Sequence, residues 1–488
     1  MAENPNDVYQ NPLVTRYASR EMVRNFSDRR RYGTWRDLWI VLAQCEAELG
    51  LPITAGQIEE LRSRRDFIDF DRVAVLEGDL RHDVMAHITH YGEQCPSARG
   101  IIHLGATSCY VTDNADLILL RDGLSILERR LRALLASLKA FCLEHRALPT
   151  LAYTHFQSAQ LTTVGKRAAL WAQDFLIDLL ELQALPARLR FRGVKGTTGT
   201  QASFLKLFDG DSSKVRELDR RVTERMGFGE PLRITGQTYT RKLDVLVLQV
   251  LSGIGISAHK FTNDLRLLQG LGEMAEPFGK AQVGSSAMPY KRNPMRSERI
   301  SSLSKLLISS VQNMAFVAAT QWFERTLDDS ANRRIAIPEA FLAADAVLVV
   351  AESVVRGLVV WPEVIRQRLA QEIEFMATED ILMHAVKAGG DRQALHESIR
   401  QHSLAAREAL RGGRTAPGVL ARLAGDPAFA AVRGEISRLS DPACFIGRAS
   451  EQVEEFFREE VDPVLSGPIL SDRKGGAAPA SMSWEVRV

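Results

Sequence analysis

A chain of 488 residues, 45% hydrophobic and 25% charged, has the balance of a globular protein and is too long for one core, so about three domains are expected. Lys plus Arg (62) nearly cancels Asp plus Glu (60), and a net charge of +2 gives no sequence-independent nucleic-acid or membrane footprint. The five cysteines (Cys45, Cys95, Cys109, Cys142, Cys444) contain no CxxC pair, which leaves neither a disulfide frame nor a zinc site.

The chain opens on MAENPNDVYQNP, without the apolar stretch of a secretory signal. No uninterrupted apolar run reaches the roughly 18 residues of a membrane span, so a reducing cytoplasm is the expected compartment. Residues 1–107 read as an Arg-rich helical domain. From Leu117, leucines recur at 120, 124, 127, 131, 134 and 138, with Phe141 closing the series. Alternating steps of three and four make this a heptad seam on one helix running to about His145, where Pro149 prevents continuation. At 1.5 Å per residue that helix is roughly 50 Å long and needs partners along its whole extent.

Further bundle helices are expected at about 161–190, 242–270, 295–320 and 337–360, the last apolar nearly all round. Gly253 and Gly255 inside the third suggest close backbone packing. Gly- and Ser-rich connectors at 192–201, 234–242 and 284–294 separate them. The fold class is therefore all-α: residues 108–360 form a central long-helix bundle and 361–465 a smaller helical domain. A tail at 466–488, rich in Gly, Pro, Ala and Ser, is expected to be disordered.

Several side chains suit chemistry on an anionic substrate. In GSSAMPYKRNP a glycine hinge, two serines, Lys291 and Asn293 make a mobile clamp for a carboxylate that gains charge during reaction. Thr107 and Ser108, just before the long helix, offer hydroxyls and amides, or simply cap it. His82 lies between Arg81 and Asp83, and His155 stands at what reads as a helix entrance. No P-loop, GxGxxG or metal-ligand cluster is present, so no cofactor and no metal is expected.

GSSAMPYKRNP resembles the signature loop of the fumarase/aspartase superfamily. Its extension MRSER at 295–299 resembles the adenylosuccinate lyase branch. RHDVMAH, HLGATS, THFQSAQLTTVGKR, RGVKGTTGTQASF, ITGQTYTRK and QWFERTLDDSANRR are similar to the same family, particularly its animal-type form, over roughly residues 10–465. Ser158 departs from it, standing where the family more often has proline.

The resemblance implies elimination of fumarate from succinylated purine nucleotides. It assigns Ser285 as general base, with Ser286 its rival, and His155 as general acid. Arg81, His82, Asp83, Thr107, Ser108, Gln237, Lys291 and Asn293 are implied as substrate contacts. Arg325, Ser330 and Arg334 match a phosphate clamp, joined by Arg16, Tyr17 and Arg299. Argininosuccinate lyase and fumarase lack a need for that clamp, and a non-catalytic helical scaffold would not need His155 and Ser285.

Thr107 precedes the long helix and His155 follows it, so one chain cannot bring both to one substrate. A homotetramer sharing its sites between antiparallel copies can, and the resemblance implies that assembly.

Overall fold

The computed structural model describes residues 4–413, 415–436 and 441–470. Its N-terminal part contains α1 (Asp28–Glu48), α2 (Phe70–Leu80) and α3 (Asp83–Gln94). Side-chain oxygens begin the first two: Ser27 accepts from the Arg30 amide and Asp69 from the Arg72 amide.

The long helix, α4, spans Ser108–Glu144 without a break. All eight residues of the heptad seam are buried, from Leu117 at 0% exposure to Phe141 at 7%. It packs against α5 (Val164–Ala184) and α8 (Asp328–Arg356), while α6 (Lys242–Gly270) packs against α7 (Met295–Ala319) and α5. Connectors that return the chain at each end make these five an up-and-down bundle. Gly255 sits where α6 meets α7: a Cβ there would lie 3.0 Å from the Leu307 Cβ and 3.3 Å from the Ser304 carbonyl, the close approach expected. By length and composition α6 could cross a membrane, but most of its apolar stretch is buried in the bundle.

Three expectations change. Residues 149–163 form a hairpin, β1 (Pro149–Thr154) and β2 (Gln157–Thr163), and α5 begins only at Val164. His155 and Phe156 form its two-residue turn with φ of 53° and 56°, the paired left-handed conformation of a tight hairpin turn. Neither residue is the Asn or Gly that normally announces such a turn, so the segment reads as the approach to a helix. The last bundle helix starts at Asp328, well before 337, and keeps Pro338 inside it.

The first residues of the segment expected to be disordered dock on α4. Arg132 donates to the carbonyls of Val464, Leu465, Gly467 and Pro468, and the Leu470 amide donates to Glu128. Residues 471–488 lie outside the described part.

After the bundle come α9 (Pro362–Lys387) and α10 (Arg392–Arg411). With Val419, Leu423, Phe429, Val432 and Ile436 they enclose a small second apolar core. Val453, Phe457 and Val461 return to the main one.

Candidate active site

One end of the bundle encloses a cavity of about 1210 Å³. Arg81, His82, Asp83, Ser108, Gln237, Arg325, Ser330 and Arg334 all line it, although they come from four separate stretches of sequence.

Arg81 ends α2 in a left-handed conformation (φ 54°), which turns the chain so that His82 can cap α3. The His82 Nδ1 accepts from the Met85 amide at 3.3 Å, so in the neutral ring Nε2 carries the proton, 3.4 Å from the Ser108 hydroxyl. Thr107 occupies the N-cap of α4, but its hydroxyl makes no capping bond. Instead it accepts from the Gln237 Nε2 at 3.4 Å, while the Cys109 thiol lies 3.6 Å from the Gln237 Oε1. Burial pushes that thiol up to about 11, so it stays a neutral donor.

Several supporting residues carry no sequence signal of their own. Arg192, fully buried, donates to the carbonyls of Gln237, Gly193 and Gly196 and so fixes the Gln237 backbone. In the cavity wall Arg241 lies between Asp113 and Asp329, and Arg333 between Asp116 and Asp244. Burial opposes the charge on Asp113, but Arg241, Arg333 and Arg192 outweigh it and hold the carboxyl below its ordinary value. Arg325 bonds Asp329 at 2.8 Å and Arg334 bonds Asp83 at 2.5 Å. Burial works against the Arg334 charge, but the Asp83 hydrogen bond together with the nearby charges of Asp83 and Asp116 outweighs it and raises the group above its ordinary value.

The remaining expected residues lie elsewhere. His155 is exposed at the hairpin tip, beyond the far end of α4. α4 has 37 residues, which at 1.5 Å each span roughly 55 Å. A seven-residue strand covers at most about 25 Å, so the hairpin cannot return to the cavity. Ser285, Lys291 and Asn293 also stand at that far end, where α6 finishes and α7 begins.

Within this loop the Ser285 Oγ accepts from the amides of Ala287 at 3.3 Å and Met288 at 3.0 Å. Asn293 donates to the Gly284 carbonyl at 2.7 Å and closes the loop at its neck. Lys291 is exposed. Glu273, only 2% exposed, ties the hairpin to the loop's approach: Thr150 and Tyr153 donate to it, and Arg368 pairs with it at 2.9 Å. Arg16 and Arg299 face the Tyr17 ring at 5.9 and 5.6 Å, and none of the three lines the cavity.

One chain therefore brings eight expected residues to one cavity, with Thr107 beside it, and holds acid and base candidates at the opposite end. Among the described residues no group of three or more His, Cys, Asp or Glu is arranged to hold a metal ion.

Comparison with known proteins agrees with the geometry. A family model described as lyase matches residues 18–307, and one described as adenylosuccinate lyase C-terminus matches 374–456. The adenylosuccinate lyase of Saccharomyces cerevisiae is 49% identical over 464 residues, covering 94% of this chain and 96% of the yeast protein. That of Schistosoma mansoni is 48% identical over 461 residues, with the same coverage. That of Pyrococcus abyssi is 33% identical over 81% of this chain and 86% of its own.

Among solved structures, a fumarate lyase from Mesorhizobium sp. BNC1 superposes with a TM-score of 0.79 at 23% identity, covering 94% of this chain and 100% of that one. The 3-carboxy-cis,cis-muconate lactonizing enzyme of Pseudomonas putida gives 0.80 at 23% identity, with the same coverage. That likeness shows the all-α fumarase/aspartase fold, and near-half identity along almost the whole chain shows more: it belongs to the adenylosuccinate lyase family.

Proposed function

We propose that this chain eliminates fumarate from adenylosuccinate, giving AMP, and by the same chemistry from succinyl-aminoimidazole carboxamide ribonucleotide (SAICAR, giving AICAR). The observation that carries the reading is the convergence of Arg325, Ser330 and Arg334 with His82 and Gln237 on one cavity, in a chain so similar to known adenylosuccinate lyases. A nucleotide phosphate suits the arginines, and a succinyl group suits the hydroxyls and amide beside α4.

Elimination removes a proton from a carbon next to a carboxylate, building a doubly charged aci-carboxylate, and then expels nitrogen. Ser285 is the base in this reading. Its Oγ already accepts two amide N–H bonds, which favour the alkoxide form over that of Ser286. Lys291 and Asn293 would face the developing negative charge. His155 protonates the departing nitrogen. Arg16, Tyr17 and Arg299 contribute to the nucleotide from a neighbouring copy. No cofactor enters any step.

Because His155 and Ser285 stand at the far end from the cavity, a working site needs at least two copies. Antiparallel association in a closed tetramer with dihedral symmetry supplies four such sites. The unpaired cysteines suit a reducing cytoplasm.

Incubating the purified chain with adenylosuccinate and following fumarate and AMP by proton NMR tests the reaction. Stoichiometric appearance of both is expected, and an unchanged substrate spectrum would overturn the reading.

A further inference from the structure

Arg325 is not a free surface arginine. Its Nη1 bonds the Asp329 Oδ1 at 2.8 Å, four residues on, just inside α8. The other oxygen, Oδ2, accepts from the Arg241 Nε at 2.7 Å. Arg241 in turn forks onto both oxygens of Asp113, at 3.1 and 3.2 Å. Asp113, Arg241 and Asp329 are all at least 97% buried, whereas the Arg325 side chain retains 23% exposure on the cavity wall. Two arginines and two aspartates balance in charge, so the chain of bonds can stay ionised away from water. Asp329 also lies in the first turn of α8, where the helix N-terminus favours a carboxylate.

This geometry has a directional consequence. A guanidinium is planar, and holding Nη1 from below leaves the Nη2–Nε edge for a second, two-point contact. Asp329 is a carboxylate with both oxygens already engaged by Arg325 and Arg241, so it has nothing to offer an anion itself. We infer that Asp329, braced by Arg241, is a positioning residue that fixes the Arg325 guanidinium so that it presents its free edge to the substrate phosphate. The inference rests on the proposed phosphate role of Arg325. Arg334 makes a contrast: its side chain is 54% exposed and pairs with Asp83 on the cavity wall, without a buried ion-pair chain behind it of the kind that braces Arg325.

The test is a double-mutant cycle between Asp329→Asn and Arg325→Ala, read by AMP calorimetry, KM and kcat. Asp329→Asn keeps the shape and one acceptor but loses the charge. It should weaken AMP and raise KM about 10-fold while kcat stays within about twofold. In the Arg325→Ala background the same change should add less than about twofold, because the residue it acts through is gone. Equal effects in both backgrounds, or a fall in kcat with KM unchanged, would overturn the inference in favour of a structural role.

Should Asp329→Asn fail to fold, Arg325→Lys decides the matter from the exposed side. A lysine held by Asp329 has no second edge, so AMP binding should weaken as in Arg325→Ala. Wild-type affinity in Arg325→Lys would sink the idea. Absence of fumarate from the wild type would overturn the proposed reaction separately, and AMP calorimetry would still decide the coupling.

Discussion

The signature loop offers a perturbation whose size can be worked from its neck. A Cβ added at Gly284 would lie 2.2 Å from the Lys291 carbonyl oxygen and 3.1 Å from the Arg292 Cα. Real Cβ contacts essentially never fall below 3.0 Å, so Gly284→Ala must open the neck by about 0.8 Å. The bond from Asn293 to the Gly284 carbonyl is 2.7 Å. Lengthened by that amount it reaches about 3.5 Å and is lost as a hydrogen bond. The net loss is about 1 kcal/mol of loop stability, too little to unfold a chain whose core lies elsewhere. Ser285 is the next residue, and a displacement of about 1 Å of a catalytic group can cost about 10²-fold in rate. Gly284→Ala should therefore lower kcat about 10²-fold, with the melting temperature and AMP affinity near wild type. Fumarate release, a thermal melt and calorimetry on one preparation check all three. A kcat within about threefold of wild type would show that the loop conformation does not govern the reaction.

Ser285→Ala and His155→Ala should each lower kcat at least ~10²-fold with the fold intact, since neither belongs to the apolar core; a dead Ser286→Ala beside an active Ser285→Ala would move the base by one residue. Leu127→Ala, fully buried in the α4 seam, should destabilise the chain by about 2–5 kcal/mol in urea titrations, and a change under about 1 kcal/mol would contradict the seam's role. Glu46 is fully buried with neither oxygen hydrogen-bonded, and burial pushes its carboxyl up to about 9. Its folded value lies above its unfolded one, so stability is full at low pH and is lost as pH rises from about 4.5 towards 9. Glu46→Gln should flatten that slope in denaturant titrations at a series of pH values, and an identical slope would refute the assignment.

The bundle was legible because its signal is periodic. Leu117 to Phe141 repeat over seven turns, and helix length and buried face both follow from that repeat. The hairpin was not legible because its tight turn is built from His155 and Phe156, which adopt left-handed φ against their own preference. Strain of that kind is held by surroundings, here the Glu273 network, which no local pattern reveals. Pro338 misplaced the start of α8 for a related reason: tertiary packing keeps it inside a helix that sequence alone would break there.

The site residues stand in contiguous motifs, and eight of them meet in one cavity. What holds them was hidden. Arg241 lies within ITGQTYTRK and Asp329 within the arginine-rich segment, yet their pairing joins positions 88 residues apart in sequence. Arg192 looks like one more charge in a glycine-rich connector, and only burial gives it a task.

The central claim is that a working site takes its cavity from one copy and its acid from another. Mixing His82→Ala, dead at the cavity end, with His155→Ala, dead at the hairpin end, under conditions of subunit exchange tests it directly. Random pairing should give about a quarter of the sites both intact residues, so turnover should recover towards about a quarter of wild type. A fully exchanged mixture as inactive as its parents would contradict the claim and require both residues to serve the site from the same chain.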